Sequence, residues 1–178
     1  MRRGVRRLLL IFLISAAGSA ASPQAGASTP KSSGGPLVGT WSLISRREVM
    51  SDGASRVEPS LGETPLGLII YDDQGHMAVQ LMKRDRPSSP APAPTRAGGP
   101  TDNSDTSSGY DAYFGTYTVD ASSRTVTHHI EGALSPMDVG KSFTRHFELS
   151  GSTLTLWFDT TAADGSHVTR RLVWRRVA

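Results

Sequence analysis

Residues 67–82 read GLIIYDDQGHMAVQLM, and this stretch decides the fold. Two apolar runs, 67–71 and 76–82, are separated by Asp72-Asp73-Gln74-Gly75. Glycine supplies a positive φ without a Cβ penalty, and aspartate bonds to the backbone two residues on, so the four residues read as a hairpin turn. In the second run Met77, Val79 and Leu81 alternate with His76, Ala78, Gln80 and Met82. A period of two is that of a strand with one face buried.

Working outward, the same grammar repeats. Residues 40–50 form a run ended by Ser51-Asp52-Gly53, 114–119 is closed by Asp120-Ala121-Ser122-Ser123, and 124–131 follows. Residues 142–149 are closed by Ser150-Gly151-Ser152, 153–158 pair back, and Ala163-Asp164-Gly165 leads into 167–177. That makes about eight strands joined by short turns, with no sustained helical period. The expectation is an all-β chain: an antiparallel up-and-down barrel of about eight strands, since closure removes the exposed edges of such a meander.

The flanks read differently. Residues 1–21 place four arginines before the apolar run LLLIFLISAA and then small residues, the order of a secretory signal peptide cleaved after Ala20 or Ala21. The run falls short of the ~20 residues of a membrane span, so no stable span is expected after cleavage. Residues 22–36 are small, polar and Pro/Gly-rich, the composition of a spacer. The domain is expected over 37–178, interrupted at 83–109 by a long Pro/Ala/Ser-rich segment without large apolar anchors, read as an insertion rather than a lid. Export, periplasmic or secreted, is the localisation these residues imply.

The chain's 19 basic and 16 acidic residues give +3, but removal of Arg2, Arg3, Arg6 and Arg7 leaves 15 against 16, or −1. Charge therefore gives no reason to expect a nucleic-acid partner. With no cysteine in the chain, thiol catalysis, zinc–thiolate sites and disulfides are excluded.

Strand alternation nominates the interior. Val126, His128 and Ile130 share one face, with Thr125, Thr127, His129 and Glu131 on the other. Phe143, Arg145, Phe147 and Leu149 share a face, with Thr144, His146 and Glu148 opposite. Two apolar faces thus carry one polar group each, His128 and Arg145. A buried guanidinium needs a partner: an internal acid such as Glu131, the ring of Trp41, or a ligand. Gln80 and Met82 where the long segment leaves, with Tyr110 and Tyr113 where it returns, could edge a barrel mouth or simply anchor the segment's ends. The ligand-binding candidates are accordingly Arg145, His128, Gln80, Met82, Tyr110, Tyr113 and Glu131, serving a small apolar or amphipathic molecule with a polar end. No nucleophile elbow, phosphate loop, dinucleotide fingerprint or zincin motif is present, so no catalytic residue is assigned. No cofactor is expected. Adjacent strand residues point opposite ways, so His128 and His129 cannot share a metal, and a histidine site would need His76, His128 and His146 to converge. The alternative function is a cofactor-free cyclase or isomerase in the same pocket, with His128 and Glu131 moving protons.

The segments GTWSLIS, PLGLIIYDDQGHMAVQLMKRDRP, YDAYFGTYTVD, VTHHIEGALSPMDVGKSFTRHFELSGSTLTL and LVWRRV, in this order, resemble the bacterial and fungal lipocalin-like domain family from about Leu37 to Val177. The resemblance implies a small stand-alone calycin-type barrel, expected to be monomeric. It also implies that Trp41 of Gly39-Thr40-Trp41 plugs one end, packed against a basic side chain of the last strand, Arg175 or Arg176. The 90–100 stretch is longer and blander than the family's connection there.

Overall fold

The computed structural model describes residues 35–86 and 109–177. The expected signal peptide over 1–21, nearly all of the expected spacer and most of the long segment lie outside the described residues. Within them the chain is all-β with a single 3-10 turn, Pro136–Asp138. The strands are β1 (Gly39–Val49), β2 (Ser55–Val57), β3 (Leu66–Tyr71), β4 (His76–Met82), β5 (Tyr110–Asp120), β6 (Thr125–Ala133), β7 (Ser142–Ser150), β8 (Thr153–Thr161) and β9 (His167–Arg176).

Every pairing is antiparallel between sequence neighbours, apart from β1–β3 and the closing β1–β9 pair. Eight strands close into a barrel. The ninth, β2, folds back on the far half of β1, where Arg47 opposes Val57, while Trp41 opposes Ile69 of β3. The 67–82 stretch forms the predicted hairpin, with Ile69 opposite Val79. Asp72 Oδ1 accepts from the N–H groups of Gln74 and His76 at 2.9 and 2.7 Å, and Gly75 takes φ 92°.

The antiparallel course gives the barrel two unlike ends. One, the hairpin end, gathers the tight turns after β3, β5 and β7 with the start of β1 and the end of β9. The other, the loop end, carries the connections 50–65, 83–109, 134–141 and 162–166. At the hairpin end Trp41 is fully buried and its Nε1 donates to Leu37 O at 2.8 Å. Arg176 lies 4.0 Å over the indole, a cation–π distance, and its Nη1 donates to Val38 O at 2.6 Å. A Cβ on Gly39 would displace Arg176 Nη1 from its place over the indole, and φ 137° is a strained conformation for any side chain, so glycine suits the position.

The core is the predicted set of inward stripes: Met77, Val79 and Leu81 on β4, Val126 and Ile130 on β6, Phe143 and Phe147 on β7. Two irregularities shift what the alternation presents. On β1 the β9 register slips between Leu43 and Ser45. On β6 Glu131 is an extra residue between Ile130, opposite Gly115, and Gly132, opposite Phe114. The second bulge presses the chains together at Gly115, where a Cβ would run into the carbonyl oxygen of His129.

Candidate functional site

The interior has two chemical zones. Toward the hairpin end Tyr71, Tyr117, Tyr113 and His128 form a ring cluster, with centroids 4.7 Å apart for Tyr71–Tyr117 and 5.6 Å for Tyr71–His128. The Tyr71 hydroxyl and His128 Nε2 share a hydrogen bond of 2.7 Å. Burial, then the positive charge of Arg145, holds the His128 imidazole well below the ordinary histidine range, so it is neutral. Burial likewise pushes the Tyr71 phenol up.

Toward the loop end the interior is charged. Arg46, Glu48, Glu58, Asp111, Asp138, Arg145 and Arg170 are all buried. Glu48 accepts from Arg170 Nη2 and from Arg56 Nε, both at 2.7 Å, and Arg56 reaches Asp164 at 2.6 Å. Glu58 lies 3.7 Å from Arg46 Nε and accepts from the Ser60 N–H and hydroxyl at 3.1 and 2.6 Å. Burial alone would raise the Glu58 pKa, but Arg46, Ser60 and Arg170 together hold it below the ordinary carboxylate range. These contacts tie the strap 58–62, with the buried Leu61, across the loop end. Buried acids and bases survive here because each is paired or bonded.

Between the zones lies a cavity of about 20 Å³. Its lining intersperses the apolar side chains of Ile69, Val79, Leu81, Leu156, Phe158 and Leu172 with Arg46, Asp111, Tyr113, Arg145 and Trp174. Arg145 stacks 4.9 Å over Phe158, and its Nη1 donates to Phe143 O at 3.2 Å. Asp111 is pushed up to about 7, chiefly by burial and further by Asp138, against the opposing pull of Arg46 and Arg145. Three fully buried donors of this lining, Arg46 Nε, Arg46 Nη1 and Trp174 Nε1, find no hydrogen-bond acceptor among the described residues.

The nominated residues divide. His128, Arg145 and Tyr113 are interior, and the latter two line the cavity, whereas His128 sits in the ring cluster beside it. Met82 and Tyr110 are half-buried and oppose each other in register, and Arg86 lies 5.2 Å over the Tyr110 ring, so Tyr110 anchors the start of the long segment. Two nominations are corrected. Gln80 is exposed, because β4 turns Met77, Val79 and Leu81 inward and its other stripe outward. Glu131 is exposed as the bulged residue of β6, so it partners neither Arg145 nor His128, and the proton-moving pair of the cyclase alternative is lost. Trp41 is no partner of Arg145 either. Its cation is Arg176, one of the two residues named. The three histidines do not converge: His76 and His146 are exposed, the first bonded to Asp72 at 2.8 Å and the second stacked on Trp157, while His128 is buried. Among the described residues no cluster of potential ligands could hold a metal ion.

Sequence reasoning missed Arg46, Asp111 and Trp174. Counting by two from Trp41 turns Arg46 and Glu48 outward, and only the β1 bulge turns them in. Asp111 was findable, since Asp111, Tyr113, Gly115 and Tyr117 alternate in one inward stripe once β5 is begun at Tyr110 rather than Phe114. Trp174 shares the inward face of β9 with Leu172 and the salt-bridged Arg170.

An eight-stranded meander closed between first and last strands, with a tryptophan under an arginine at one end, defines the lipocalin-like class of barrels. The chain belongs to that family: the model of the lipocalin-like domain matches residues 38–177. No curated protein matches the chain.

Proposed function

We propose that this is an exported, monomeric lipocalin-like barrel that holds a small amphipathic molecule, its body against the apolar lining and its polar end toward Arg145. The supporting observation is one cavity lined by six apolar side chains together with two guanidiniums. His128, neutral and bonded to Tyr71, acts from behind by holding the ring cluster to which Tyr113 of the lining belongs. Export rests on the residue order of 1–21.

A volume of about 20 Å³ holds roughly one water molecule, against the 300–1,000 Å³ of ordinary ligand pockets. Binding therefore requires the interior to open. The strap 58–62, held across the loop end by the Glu58–Arg46 pair and the buried Leu61, is the element whose release would open it. Native mass spectrometry of the protein purified from its own host is expected to show a bound small molecule, and a hydrophobic dye is expected to enter and be displaced by amphiphiles. An Arg145→Ala variant is expected to bind at least tenfold more weakly. Uptake of neither, or unchanged binding by that variant, contradicts the proposal. The small cavity favours a second reading, in which the interior is filled by its own side chains and the outer surface is the working part. Outward-facing Ile70, Ala78 and Phe114, contiguous across β3, β4 and β5, would then be the contact row.

A further inference from the structure

We infer that the polar end of the guest is a carboxylate, received by the Arg46 guanidinium and the Trp174 indole N–H. The inference rests on the container reading and adds the chemistry of the head group. It starts from the three donors. Arg46 is 3% exposed and Trp174 1%, and both line the same cavity. A buried donor without an acceptor costs about 1–3 kcal/mol, more when charged, so such groups are retained where something fills the site. Arg46 and the indole are donors without acceptor capacity, so the guest's end must present acceptors to them. A carboxylate satisfies this with two oxygens, and a guanidinium binds it in a fork that an alcohol cannot match.

Charge agrees with an acceptor at this end. Arg46 and Arg145 line the cavity with Asp111, the one acid of the lining, which burial holds toward its neutral form. An ammonium would meet two guanidiniums. The six apolar side chains of the same lining set the remainder of the molecule: a short hydrocarbon body, hence a small monocarboxylic acid.

The test is isothermal titration of the full mature protein with acetate, butanoate and hexanoate, and with 1-hexanol and hexanamide as neutral counterparts. Expected are affinity that rises with chain length, hexanoate at least tenfold tighter than either neutral probe, and at least a tenfold loss for hexanoate in Arg46→Gln with 1-hexanol little changed. Because Arg46→Gln leaves Glu58 without its cation and can fail to fold, Trp174→Phe serves as the second variant. It keeps the ring and removes the N–H, and it is expected to weaken hexanoate about threefold or more. Equal binding of hexanoate and 1-hexanol, or variants that bind hexanoate as the parent does, overturns the carboxylate and leaves the container standing. Binding of no probe overturns both.

Discussion

Asp111 is the residue where the interior's chemistry is most open to measurement. Its carboxyl ordinarily titrates at 3.8 and is pushed up to about 7, with burial the main cause. The folded protein therefore holds this proton more tightly than the unfolded chain, and ionisation opposes folding. The stability involved is fully present below the unfolded-state value and is lost as pH rises through the window from about 4 to about 7. At 1.36 kcal/mol per unit, the effect is on the order of 2–4 kcal/mol. Asp111→Asn is expected to remove it. In urea titrations the difference between parent and variant should change steadily between pH 4 and 7, the parent losing ground as pH rises. A constant difference would mean that Asp111 ionises as freely in the fold as in water. At this scale Arg145 and His128 were legible in the sequence, since each stands alone on an apolar stripe of a regular strand. Glu131 was misjudged because a pairing was inferred against its own alternation, which already turned it outward.

At the scale of elements, two bulges decide what the strands present. On β1 the slip between Leu43 and Ser45 brings Arg46 and Glu48 inside, the difference between an apolar core and a charged one. No residue type in "SLISRREV" announces that slip. It arises from tertiary pairing with β9, so the inward turn of Arg46 and Glu48 was unreadable from the sequence. On β6 the bulge depends on Gly115, whose missing Cβ leaves room for the His129 carbonyl. Gly115→Ala sets a side-chain carbon against backbone, which cannot give way as a flexible side chain would. A loss of about 2–4 kcal/mol is expected, read as a fall in the denaturation midpoint. An unchanged midpoint would show that the β5–β6 register relaxes without cost. The strap 58–62 is the other decisive element. Glu58→Gln leaves the buried Arg46 without its counter-charge, and breaking a buried pair costs about 3–5 kcal/mol. Thermal melting checks this, and a variant as stable as the parent would show that water or another group already neutralises Arg46.

The whole molecule follows from hairpins counted along the chain. Turn chemistry and the period of two were written in the sequence at each step, from Asp72–Gly75 onward, and closure of β1 on β9 completes what the meander requires. A local signal of that kind carries over to the architecture. The cavity does not, because it is a residue of volumes contributed by seven strands of the barrel and fixed by bulges. The barrel's own tryptophans report on whether that space accepts a guest. Of the three in the chain, Trp41 is bonded to Leu37 O at the hairpin end, Trp157 stacks on His146 outside, and Trp174 lines the cavity with its N–H unbonded. Proton–nitrogen correlation NMR of the indole N–H groups during addition of hexanoate isolates the last of these. The account predicts that the Trp174 resonance moves downfield and saturates while those of Trp41 and Trp157 stay in place. A Trp174 resonance that stays fixed at saturating hexanoate, or three that drift together, would contradict it.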